Sequence, residues 1–61
     1  MIEIPGVGIV KVSAIDVVSE LYKTSTSRKY NILIRGCEWI NVDEKNMLRE
    51  ELIKKIEEHD A

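Results

Sequence analysis

The sequence predicts a small α+β domain: an antiparallel β-meander of three to four strands with one C-terminal α-helix packed on one face. Three observations predict it. The run Tyr30–Val42 alternates apolar and polar residues about a single glycine, which is the pattern of a hairpin. The run from Met47 to Ile56 repeats apolar residues at helical spacing. The chain has 61 residues, enough for one domain (1–61) and no more.

Ile2 and Ile4 flank Glu3 as a short edge strand. Pro5-Gly6 suits the centre of a type II turn. Gly8 follows, and Ile9–Val12 resumes a strand. A phosphate loop is the sharper reading of Pro5–Gly8, but no helix N-terminus follows to hold an anion. A turn and a bulge account for both glycines. Ser13–Tyr22 has two readings. As a helix, Ser13 is an N-cap, and Ala14, Ile15, Val18, Leu21 and Tyr22 share a face. As a strand, Ile15, Val17 and Leu21 share a face. The β-branched Ile15, Val17 and Val18 favour the strand. Lys23–Lys29 has no apolar residue and reads as a solvated loop carrying clustered bases.

In the hairpin, Tyr30, Ile32 and Ile34 alternate with Asn31, Leu33 and Arg35. Glu38, Ile40 and Val42 alternate with Trp39 and Asn41. Gly36-Cys37 suits a two-residue type II′ turn. Asp43 is a good N-cap, with Glu44 in the first turn of a helix from about Glu44 to Glu58. Met47, Leu48, Leu52, Ile53 and Ile56 form its apolar stripe. Glu50–Lys54 and Glu51–Lys55 are favourable pairs at i,i+4.

The order of these elements resembles a group of very small phage and prophage proteins, and in outline the flagellar accessory proteins of the FlbD type. The resemblance lies in VKVSAIDVV, a polar loop, YNILIRGCEWINVDE and a short helix, about residues 9–56. Cys37 stands where the group usually carries a second glycine. The resemblance implies a β-meander with a C-terminal helix and no enzymatic activity. It further implies an accessory role, or inhibition of a host defence protein.

Composition narrows function. A domain this small buries only about 60% of the surface its unfolded chain exposes, so it needs a further source of stability. One cysteine excludes an internal disulfide, and one histidine near the C-terminus makes a structural zinc site a poor fit. Self-association is the remaining source, so a homo-oligomer is expected. The second face of the sheet supplies a surface for it, with Leu33, Val18 and Trp39 expected there. The formal net charge is −2. Residues 1–42 carry five bases against four acids, and residues 43–61 seven acids against four bases. That is not the footprint of a general DNA binder. No secretory leader opens the chain and no apolar run is long enough to span a bilayer, so a soluble, cytoplasmic protein without a membrane partner is expected.

No Ser–His–Asp set occurs. Cys37 sits in a turn and His59 in the tail, and paired carboxylates occur only on the helix. No enzyme, metal or cofactor is expected. The candidate binding residues are Trp39, Tyr22 and Arg35 with the basic Lys23, Arg28 and Lys29. Together they suit stacking on bases and contact with phosphate, the reading as a nucleic-acid or nucleotide binder. The alternative places Trp39 and Tyr22 in a core or a protein interface, where such residues are enriched. The second reading is favoured: a binding protein that acts through contacts with itself and with another protein.

Overall fold

The computed structural model describes residues 1–60 and shows the expected α+β architecture. Six strands, β1 (Ile2–Ile4), β2 (Gly8–Val10), β3 (Ile15–Val18), β4 (Tyr22–Lys23), β5 (Arg28–Ile34) and β6 (Glu38–Asp43), precede one helix, α1 (Arg49–Asp60). The four strands β3–β6 form the main antiparallel sheet. β5 is its centre, β6 pairs along one edge, and β3 and β4 lie end to end along the other. β1 and β2 form a separate hairpin. Among the described residues no helix is long and apolar enough to cross a membrane.

The alternation of the β5–β6 hairpin sorts its residues as the sequence predicts. Tyr30 and Ile32 are fully buried and Val42 nearly so, and Ile34 and Ile40 pack beside them. Leu52 of α1 and Ile4 of β1 complete this core, so helix and N-terminal hairpin cover one face of the main sheet. Tyr30 is the pivot. Its hydroxyl donates to the Met47 carbonyl at 3.0 Å, which ties the connection before α1 to the central strand.

Four expectations are corrected. The turn at Gly36 is centred on Arg35-Gly36. Both have positive φ, 52° and 70°, and the Cys37 N–H donates to the Ile34 carbonyl. That is the mirror-image type I′ conformation, which suits the right-handed twist of the strands. The region Ser13–Tyr22 follows the strand reading over β3 and at the start of β4, but a 3-10 turn over Val12–Ala14 precedes β3 and a break separates the two strands. Within β3 the register slips between Ile15 and Val17, so Asp16 bulges out. Ile15 pairs with Ile34 and Val17 with Leu33, which puts Ile15 and Val17 on opposite faces. A period of two fails wherever one strand carries an extra residue.

The Lys23–Lys29 run is less a loop than the tip of a hairpin. Tyr22 pairs with Lys29 and Lys23 with Arg28, and only Thr24–Ser27 form the turn. The Thr24 hydroxyl accepts from the Ser27 and Thr26 N–H groups, which replaces a backbone turn. Finally, the helix begins at Arg49, five residues later than expected. Asp43 caps a turn: its carboxylate accepts from the Lys45 N–H and its carbonyl from the Asn46 N–H. Glu44 still serves the helix, because its carboxylate accepts from the Arg49 N–H at 3.3 Å. The delay buries Met47 and leaves Leu48 exposed, outside the apolar stripe.

Burial pushes the Tyr30 hydroxyl up from 10.0 to about 12, with the Glu44 carboxylate adding to the effect. Above pH 10 the unfolded chain releases this proton while the folded protein holds it. Stability therefore falls as pH rises from about 10, by on the order of 2–3 kcal/mol once pH exceeds 12. Urea denaturation from neutral to alkaline pH tests this. Tyr30→Phe is expected to cost about 1–3 kcal/mol at neutral pH by leaving the Met47 carbonyl unpaired. The same substitution removes the Tyr30 share of the alkaline slope.

Candidate functional site

Among the described residues, none packs over the face of the main sheet opposite α1, where Val17 and Trp39 are exposed. Cross-strand pairs share a face, so the registers place its side chains in three rows. Val17, Leu33 and Trp39 form the first, nearest the β5–β6 turn. Asn31 and Asn41 form the second, and Tyr22, Lys29 and Asp43 the third. The first row is apolar. Trp39 is 57% exposed, far more than a core aromatic would be, and Val17 is exposed beside it.

The second and third rows are joined by hydrogen bonds. The Asn41 side-chain amide donates to the Tyr22 hydroxyl at 2.6 Å and to the Asn31 side-chain oxygen at 3.0 Å. Tyr22 is on one side of β5 and Asn41 on the other, so the tyrosine side chain spans the central strand. It is thereby ordered without being buried. Ser19 holds the break between β3 and β4 in place. Its N–H donates to the Asn31 carbonyl and its hydroxyl accepts from the Asn31 N–H at 2.7 Å. The Arg49 guanidinium then donates to the Ser19 carbonyl at 2.7 Å, linking the helix start to this break.

The six candidate residues divide. Trp39, Tyr22 and Lys29 lie on the open face. Lys23 and Arg28 are opposite one another in register and alternate to the other side of the sheet. Arg28 there borders a shallow depression with Leu21, Glu44 and Leu48. Arg35 is in the turn, with its N–H bonded to the Ala14 carbonyl at 2.9 Å. It borders a second depression with Ile9, Lys11 and Ile40, on the covered side of the sheet. Of the four candidate cations only Lys29 shares the open face with both aromatics, and it faces Asp43 in the register, whereas Lys23 and Arg28 border a depression with Leu21 and Tyr22 along β4.

Val18, expected on the open face, packs with the core instead, and Val17 takes its place. The bulge at Asp16 is the reason. Asn31 and Asn41 were not singled out by the sequence, although their alternation with Tyr30, Ile32, Ile40 and Val42 carries the signal.

No protein-family model matches this chain, and neither a curated protein nor a solved structure matches it at a significant level. The surface therefore has to be read from its own chemistry. It is flat, apolar at one end, polar and internally bonded at the other, and close to neutral.

Arg35 is a non-glycine residue held in the left-handed region, which disfavours L side chains. Arg35→Asn is expected to raise stability by about 0.5–1 kcal/mol, since Asn-Gly is the preferred type I′ pair. Because Arg35 is off the open face, self-association should be unchanged. Thermal melts and sedimentation of the variant check both statements.

Proposed function

We propose that this chain is a non-enzymatic binding protein that acts through protein–protein contacts, as a homo-oligomer in the cytoplasm. The observation that carries the reading is the row Val17–Leu33–Trp39 on the uncovered face of the sheet. A large aromatic set among aliphatic side chains on a rigid sheet, bounded by satisfied polar groups, has the composition of an interface centre with its rim. The balance of the face favours another copy of this chain as the neighbour of Trp39. Lys29 and Asp43 oppose one another, and the Tyr22–Asn41–Asn31 ladder is uncharged, so no single-sign field selects a charged ligand.

Nucleic-acid or nucleotide binding is the second reading, and the geometry supports it less well. Stacking on Tyr22 and Trp39 needs cations on the same face to follow the phosphates. Lys23, Arg28 and Arg35 lie elsewhere. The narrower role of a phage-type accessory factor or an inhibitor of a host defence protein comes from the sequence resemblance.

Sedimentation and tryptophan emission over a micromolar concentration series test the proposal. The expected result is a dimer or larger species whose emission shifts blue as it forms. Trp39→Ala should weaken that association by on the order of 2 kcal/mol, the scale of an interface hot spot. A folded monomer with solvent-like emission throughout would remove the reading. Emission that quenches on adding a short thymidine oligonucleotide, and recovers steeply with salt, would replace it with the second.

A further inference from the structure

We propose that β6 is the edge through which two copies of this chain join, antiparallel about a two-fold axis at Ile40, so that their two main sheets become one. The inference rests on the self-association proposed above and gives it a location.

The two edges of the main sheet differ. The β3–β4 edge is short, bulged at Asp16 and broken between Val18 and Tyr22. Bulges and short segments are the features that stop an edge from pairing with another chain. β6 has none of them. It runs unbroken from Glu38 to Asp43 in regular register with β5 and contains no proline, glycine or lysine.

The hydrogen-bond phase shows which groups this edge offers. The Glu44 N–H donates to the Arg28 carbonyl, so Arg28–Glu44 is a bonded pair, as are its alternates Tyr30–Val42 and Ile32–Ile40. The residues between them, Trp39, Asn41 and Asp43, turn their N–H and C=O groups away from β5. The Asp43 carbonyl already accepts from the Asn46 and Met47 N–H groups. Among the described residues nothing bonds the outward backbone groups of Trp39 and Asn41, which leaves them to a partner strand, and both residues are exposed.

One register uses these groups without conflict. It sets Trp39 of one copy opposite Asn41 of the other, twice by symmetry, each pair exchanging two main-chain bonds. Ile40 then meets Ile40 across the axis on the covered side. On the open side the two Trp39 rings become diagonal neighbours, about 7–8 Å apart at the backbone. Glu38 falls opposite Val42, so no like charges are opposed. Shifting the pairing by two residues one way sets Glu38 against Glu44 and calls on the occupied Asp43 carbonyl, and the other way sets Asn41 against Cys37, whose N–H already donates to the Ile34 carbonyl. The self-complementary register argues for a second copy as the occupant. It also brings the two apolar rows side by side into one surface.

Two variants test this. Asn41→Pro removes the outward N–H, and proline is tolerated on an edge strand where its missing donor faces solvent. Asn41→Ala is its control, because it loses the same contacts to Tyr22 and Asn31 but keeps the N–H. The expected result is a dimer for Asn41→Ala and a folded monomer, by circular dichroism and sedimentation, for Asn41→Pro, with dissociation at least tenfold stronger. Independently, Ile40→Cys in a Cys37→Ser background should form an intermolecular disulfide on oxidation. Non-bonded antiparallel pairs lie about 4.5 Å apart at Cα, within the range a disulfide spans. An Asn41→Pro dimer as tight as the parent, or a dimer whose Ile40→Cys form does not cross-link, overturns the edge assignment and leaves self-association standing. If Asn41→Pro fails to fold, the cross-link decides. A parent chain that stays monomeric defeats both proposals.

Discussion

The structure depends on the burial of Tyr30 at the centre of the middle strand. Its ring lies in one cluster with Ile4, Ile32, Val42, Met47 and Leu52, and its hydroxyl donates to the Met47 carbonyl. That bond fixes the irregular stretch Asp43–Leu48, and this stretch sets where α1 starts. The phenol is an economical solution for a small chain. It supplies a large apolar ring together with one polar anchor that reaches out of the core. Without the anchor, the connection from β6 to α1 would be held only by its own turns and by the Arg49 contacts to Glu44 and Ser19.

One-sided coverage follows. A chain of this length can place one helix and one small hairpin over a sheet, and both go to the Tyr30 face. The other face then has to be stable in water or find a cover. Toward β4 it is made compatible with water by a hydrogen-bonded ladder of Tyr22, Asn41 and Asn31. Toward the β5–β6 turn it is not, because Val17 and Leu33 offer carbon only and Trp39 a large ring with a single N–H. The contrast within one face separates a hydrated sheet surface from an apolar one, and it rests on composition row by row more than on total exposed area.

The edges obey the same logic. The bulge at Asp16 has two effects. It turns Val17 out to join Leu33 and Trp39, and it spoils the β3 edge for pairing with another chain. A single extra residue thus helps build the apolar row and closes one route of association. Along β6 the edge stays regular beside the same row, so pairing there would set two such rows side by side in one larger apolar surface.

The sequence by itself determined the alternation of Tyr30–Val42, the Pro5-Gly6 turn, in which Gly6 has a φ of 85° and the Val7 N–H donates to the Ile4 carbonyl, the existence of the helix and the position of Trp39 on the face away from it. These are local facts, written in periods of two and 3.6 and in residues that favour particular φ values. Only the tertiary structure decided the rest. Arg35 takes a left-handed conformation that its side chain disfavours, because strand twist and the Ala14 carbonyl hold it there. Val17 and Val18 exchange faces because a bulge is a relation between two strands and leaves no mark in one of them. Lys23 and Arg28 stay together but take the face opposite Trp39, because hairpin register assigns faces. Leu48 lies outside the stripe because Tyr30, seventeen residues from Met47, anchors the chain and delays the helix.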